Sequence, residues 1–312
     1  MSSHQIVYIV FGFVIALALL FDLGLLNKKN QTVSIKTAFI QTLFWVVLAL
    51  GFFVFMWVEE SKTAAVEYIS AYLMEWSLSI DNIFVFILIF TAFGVKEKYY
   101  GRVLLIGILM AIVFRILFIT VGVSLVQKAE WVLYIFGVFL VYTGYTMFIA
   151  DEEKEFKPHD NKVYKFLKRF LPITLEDHNG KYIVRQHGKP LYTILFVVVI
   201  ILSVTDLVFA LDSIPAVMGI SRDPLVIYTS NIFAVLGLRS LFFLLKGAVN
   251  KFHYLPQGIA VVLIFIGLKM LGEHFVEEWV SKNTMTFISL AMIVVCIAGS
   301  IIYSMYHIKK AK

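Results

Sequence analysis

The sequence predicts an all-α polytopic membrane protein with about nine transmembrane helices and an inverted three-helix repeat. Three observations point there: 60% of the 312 residues are hydrophobic, apolar runs of about twenty residues recur along the chain, and Lys and Arg are spread unevenly between the joining segments. One water-soluble core cannot hide that much apolar surface, so the bilayer must be the solvent.

Each run can cross roughly 30 Å of hydrocarbon at about 1.5 Å per residue. The runs lie near 5–26, 37–58, 68–93, 103–126, 131–149, 191–219, 225–245, 256–272 and 284–306. The first is too long for the apolar part of a secretory signal and lacks a small-residue cleavage pattern, so it is expected to be retained. Of the 27 Lys and Arg, 20 fall in alternate segments: 27–36, 94–102, 150–190, 246–255 and the tail after 306. The opposite segments hold Lys62, Lys128, Arg222 and Lys282, while Arg115, Arg239 and Lys269 lie inside runs. Cation-rich segments face the cytoplasm, which puts the N-terminus outside and the C-terminus inside. No basic stripe with interleaved aromatics lies on a soluble face, which argues against a nucleic-acid role. Cys296 is the only cysteine, so a disulfide within the chain and a thiolate metal cluster are excluded, and Cys296 reads as a packing residue.

This divides the chain into two N-terminal helices (1–66), a first three-helix unit (67–149), a cytoplasmic connection (150–190), a second unit (191–272) and a last helix with a basic tail (273–312). Within the connection, Val163, Phe166, Leu167 and Phe170 recur at helical spacing among Lys162, Lys165, Lys168 and Arg169. That pattern suits an interfacial helix on anionic headgroups, or an ordinary solvated connector. The acidic run Asp151, Glu152, Glu153, Glu155, with His159 and Asp160, reads as a cation-gathering mouth or a solvated loop. Tyr182-Ile183-Val184 before His187-Gly188 reads as a short hairpin.

The two units share an order of residues. Glu75, Asp81, Asn82 and Ile83 in the third run match Asp206, Asp212, Ser213 and Ile214 in the sixth. Arg115 follows Gly107 by eight residues, as Arg239 follows Asn231, and Gly144 to Met147 matches Gly267 to Met270. With the topology above, the third run points inward and the sixth outward, so the units form an inverted repeat of the kind that places a transport site at its interface.

Energetics support the same location, because an ionisable group near mid-membrane costs several kcal/mol unless paired or hydrated. Five acids lie in the runs, Asp22, Glu75, Asp81, Asp206 and Asp212, against the central Arg115 and Arg239. The excess acid needs water, a proton or a metal cation. Asp22 and Lys269 lie near run ends, as accessory site residues or as side chains that snorkel to the interface. A step of seven residues returns to one helix face, so Glu75 aligns with Asn82 and Asp206 with Ser213, whereas Asp81 and Asp212 join those faces only if the helix unwinds or a neighbouring helix closes the ring. Pro215 and Gly219 offer a break that would also expose carbonyls. Metal ligands are expected at Glu75, Asp81, Asn82, Asp206, Asp212 and Ser213, with Arg115 and Arg239 balancing charge. These donors are hard oxygens, favouring Mn²⁺, Mg²⁺ or Ca²⁺ over Cu(I) or Zn²⁺.

At Glu75 to Asn82 and Asp206 to Pro215 the chain resembles the TerC/Alx family of bacterial membrane proteins. The likeness extends to Leu171-Pro172-Ile173-Thr174 and Val184-Arg185-Gln186-His187-Gly188-Lys189, and is most specific over 205–216. It implies manganese export from the cytoplasm across the bacterial inner membrane, within a superfamily of cation and amino-acid exporters. Members are linked to tellurite resistance, alkaline response and metal loading of secreted enzymes. Mn²⁺ as transported ion and the outward direction follow from the resemblance alone; the residues stop at a hard divalent cation. Partners are then the lipid bilayer and the metal cargo, with room for a membrane-protein partner or a second copy. Two other readings stay open: an intramembrane aspartyl protease, although Gly-x-Gly-Asp is absent before Asp81 and Asp212, and a non-transporting assembly factor or sensor of pH, redox or metal stress.

Overall fold

The computed structural model describes residues 3–25, 33–129, 131–149, 162–174, 178–186, 189–246, 254–272 and 280–310. Within these, the side chains of 3, 4, 21–25, 80, 81, 84, 162, 212, 282, 283 and 307–310 lie outside the description. The helices are α1 (Ser3–Leu25), α2 (Ile35–Glu59), α3 (Lys62–Ala92), α4 (Glu97–Lys128), α5 (Val132–Ile149), α6 (Lys162–Phe170), α7 (Ile194–Ile220), α8 (Pro224–Leu245), α9 (Leu255–Leu271) and α10 (Lys282–Lys310). Starts follow ordinary capping chemistry: Ser34 and Ser61 accept the Thr37 and Ala64 amides at 3.1 and 3.0 Å, and Asp223 accepts the Leu225 amide just before Pro224.

Six helices, α2, α4, α5, α7, α8 and the Thr284–Tyr306 part of α10, are long and apolar enough to cross a membrane. Their outer faces carry Val54, Leu117, Val138, Val208 and Val295, each more than half exposed. An aqueous surface would not tolerate such a belt, whereas lipid matches it. Nearly every residue of α8 from Leu225 to Phe242 is buried, with α2, α3 and α4 packed around it.

Close crossings are built on glycine. A Cβ at Gly267 of α9 would stand 2.7 Å from the Gly137 carbonyl of α5, and one at Gly144 would stand 2.7 Å from the Ala260 carbonyl. The step that carries Gly144 to Gly267 also carries Gly137 to Ala260, so the two contacts exchange when the halves are interchanged. Gly267→Val should therefore cost about 1–3 kcal/mol by overpacking, seen as a lower melting temperature in detergent. Gly299→Val, whose Cβ would meet nothing within 4 Å, should melt like the parent.

The all-α class holds, with one small sheet in the connection: β1 (Ile173–Thr174), β2 (Ile183–Gln186) and β3 (Lys189–Thr193) in the order β1-β3-β2. Two expectations are corrected, the helix break at Pro215 and Gly219 and the snorkelling of Lys269. The β2–β3 pair is the antiparallel hairpin, while β1 joins β3 in parallel, a pairing between strands too short to announce themselves. Pro215 does not break α7, which runs on to Ile220. Gly219 serves instead as a contact, because a Cβ there would stand 2.6 Å from Ile266 and 2.8 Å from the Met270 sulfur. Finally, Lys269 does not snorkel; its ammonium donates to the Gly219 carbonyl at 3.0 Å and the Ser289 hydroxyl at 3.2 Å, tying α9 to the end of α7 and to α10. The acidic run 151–160 and the hairpin turn 187–188 lie outside the described residues.

Candidate functional site

Four helices deliver one polar residue each to the apolar centre: Glu75 from α3, Arg115 from α4, Asp206 from α7 and Asn231 from α8. All four are at most 2% exposed. The Arg115 guanidinium donates through Nε to Asp206 Oδ2 at 2.9 Å and through Nη2 to Asp206 Oδ1 at 3.2 Å. Its Nη1 donates to Asn231 Oδ1 at 2.9 Å and to Glu75 Oε1. Asn231 spends its own amide on the Ile227 carbonyl at 3.2 Å, which fixes its oxygen toward Arg115. The planar fork of donors on arginine suits this task, and lysine could not reach all three partners.

Acidic groups outnumber basic ones at this centre. Two carboxylates face one guanidinium, and Glu75 Oε2 is buried without a hydrogen-bond partner. A buried oxygen left so carries its full desolvation penalty, so the site retains a place for a proton, a water or a cation. Buried unpartnered hydroxyls follow along the same helices at Ser79, one turn after Glu75, and at Ser213, seven residues after Asp206. Asn82 is buried too, at 4% exposure, without joining the Arg115 network.

The helix directions order the remaining groups. Glu67 near the start of α3 accepts a hydrogen bond from Ser221 at the end of α7, and Glu75 meets Asp206 through Arg115, so α3 and α7 are antiparallel. Both are unbroken here, and each six-residue step, Glu75 to Asp81 and Asp206 to Asp212, rises about 9 Å in opposite senses. Asp81 thus lies on the side of the Lys246–Glu97 ion pair, and Asp212 on the side of Ser221. Eight residues carry Arg239, buried in α8, about 12 Å from Asn231 toward the Asp81 side. The side chains of Asp22, Asp81 and Asp212 lie outside the described residues, and among the described residues no three His, Cys, Asp or Glu gather to hold a metal ion.

Small spaces flank the centre. One of about 10 Å³, near the size of a single water, is lined by Asp206, Phe86, Leu104, Gly107, Ala111 and Leu202. The other, about 120 Å³, lies toward the opposite end between Val123, Val126, Gln127, Met218, Arg222 and Ile227. Phe86 is five residues beyond Asp81 and Met218 six beyond Asp212, so each aspartate sits on a stretch of helix leading to one of the two spaces.

Sequence reasoning named Glu75, Asp206 and Arg115 and missed three participants. Asn231 entered only as a landmark of the repeat, although a polar amide two turns before a buried arginine was the available signal. A boundary set at 68 left Glu67 outside its helix, and Ser79 carried no pattern of its own.

The model of the integral membrane protein TerC family matches residues 60–312. An uncharacterized membrane protein of Rickettsia felis is 40% identical over 269 residues, covering 86% of this chain and 89% of its own. Another from Myxococcus xanthus is 40% identical over 266 residues, covering 85% and 83%. The Escherichia coli K12 protein named "Putative membrane-bound redox modulator Alx" is 38% identical over 274 residues, covering 85% of each chain. No solved structure matches.

Proposed function

The chain belongs to the TerC family of integral membrane proteins, and from that premise we propose that it exports a hard divalent cation, Mn²⁺ above all, from the cytoplasm in exchange for protons. The observation that carries this reading is the buried centre itself: a bundle interior that holds two carboxylates on one guanidinium, with Glu75 Oε2 open. Structural ion pairing alone gives no reason to bury an extra negative charge, whose cost in a membrane is several kcal/mol. A cation path does.

In this reading the acids act in series along α3 and α7 rather than as one shell of six ligands. Asp81 with Asn82 forms the cytoplasmic level and Asp212 with Ser213 the outer level, with the Arg115 centre between them. Metal at either level displaces protons, because carboxylates that bind a dication must be ionised. Arg115 and Arg239 hold the acids when metal is absent. Oxygen donors without thiolate or imidazole suit Mn²⁺, Mg²⁺ or Ca²⁺, and the family resemblance favours manganese. The exchange of the Gly137–Gly267 and Gly144–Ala260 contacts supports the inverted arrangement, and the positive-inside pattern supports an external N-terminus.

Purified protein in liposomes should carry Mn²⁺ flux that excess Ca²⁺ or Mg²⁺ reduces far less than excess Mn²⁺ does. Equal competition by all three would leave a hard-cation transporter without manganese preference. Absence of flux for every cation would move the protein to the sensor or assembly class.

A further inference from the structure

The connection between α5 and α7 is built onto the bundle rather than strung beside it. Tyr164 of α6 is buried, its ring 5.6 Å from Phe93, the residue that ends α3. Gly180, at φ +79°, lies against the Tyr99 ring of α4, where a Cβ would come within 2.7 Å. Arg102 of α4 stacks over Tyr182 at 5.5 Å. The Thr193 hydroxyl bonds the Lys181 carbonyl at 2.8 Å and the Tyr182 carbonyl at 3.1 Å, and β3 passes directly into α7. The α6–sheet unit therefore caps the ends of the three helices that carry Glu75, Arg115 and Asp206.

The other face of α6 is unusual for a surface in water. Phe166 and Phe170 are 63% and 64% exposed, with their rings 4.8 Å apart. Lys165, Lys168 and Arg169 are exposed around them, Arg169 stands 5.9 Å over the Phe170 ring, and the helix contains no acid. Height matters as well: the 31 residues of α3 rise about 46 Å against roughly 30 Å of hydrocarbon, so Phe93 and the helix packed on it lie at headgroup level.

We propose that α6 is a binding element for anionic lipid, seating Phe166 and Phe170 at the acyl boundary and Lys165, Lys168 and Arg169 on headgroup phosphates. An exposed apolar pair framed by cations fits that layer and no other part of a bilayer. Through Tyr164–Phe93, Arg102–Tyr182 and the β3–α7 junction, the seated element holds the ends of α3, α4 and α7 in place.

The test uses the full chain with Phe166→Cys in a Cys296→Ala background, labelled with an environment-sensitive fluorophore. It is reconstituted into phosphatidylcholine vesicles with or without phosphatidylglycerol. With the anionic lipid the emission should shift to the blue and be quenched by spin-labelled lipid. Each of Lys165→Gln, Lys168→Gln and Arg169→Gln should lower the ratio of seated to free label by about five-fold. These surface changes leave Tyr164 and the cap contacts intact, and unchanged helical circular dichroism verifies folding. A label that stays water-exposed with both lipids overturns the proposal. So does one that is shielded equally without anionic lipid, or shielded only as protein density rises, which would mean a protein partner. None of these readouts depends on transport.

Discussion

Arg115→Gln destabilises the folded bundle by about 3–5 kcal/mol, the cost expected when one partner of a buried charge network is removed. Glutamine reaches neither both Asp206 oxygens nor Glu75, and both carboxylates stay where they are at 2% exposure or less. Part of the loss should return when the acids are neutralised in the same chain, as Arg115→Gln with Asp206→Asn and Glu75→Gln, because the uncompensated charges then disappear. Arg115→Lys should lie between, since an ammonium keeps the charge but not the fork that serves three partners. Thermal unfolding in detergent, arranged as a multiple-mutant cycle, gives the coupling. Additive losses with no recovery in the triple variant would mean that Arg115 acts by packing, and would remove the charge imbalance on which the functional reading rests.

Asp212→Asn has the other large expected effect: loss of Mn²⁺ export, by at least about 100-fold, with the protein still inserted and folded. Asparagine preserves volume but not the anion, so it would remove together the ligand charge and the proton site that the proposed export requires. Cells carrying the variant should accumulate manganese and become sensitive to it. Asp81→Asn should act the same way from the cytoplasmic level. Ser213→Ala should be milder, since it would remove one neutral donor from the proposed site while the anions remain. Wild-type tolerance in cells with normal amounts of Asp212→Asn would shift weight to a sensing or assembly role.

Much of this molecule was legible because bilayer physics is coarse. Apolar runs gave every long helix among the described residues, with ends within about six residues of those observed, and the run at 131–149 corresponds closely to α5 at Val132–Ile149. Buried acids announced themselves because lipid makes them costly. What the pattern did not reveal depended on partners far away in sequence. Asn231 meets Arg115 across 116 positions, and β1 pairs with a strand that begins fifteen residues after it ends. Pro215 looked like a break because propensity disfavours it, yet the packing of α7 against α3, α4 and α9 holds the helix through it. Lys269 looked like a snorkelling end residue because a linear sequence cannot show that the Gly219 carbonyl lies within its reach.

The central claim, proton-coupled export through the acids of α3 and α7, is tested most directly in proteoliposomes carrying an imposed pH gradient, with Mn²⁺ and internal pH followed together. Wild-type protein is expected to move Mn²⁺ out of the compartment opposite the higher proton concentration, with protons moving the other way. Asp212→Asn is expected to do neither. Manganese movement that ignores the pH gradient, or that survives intact in Asp212→Asn, would contradict the account.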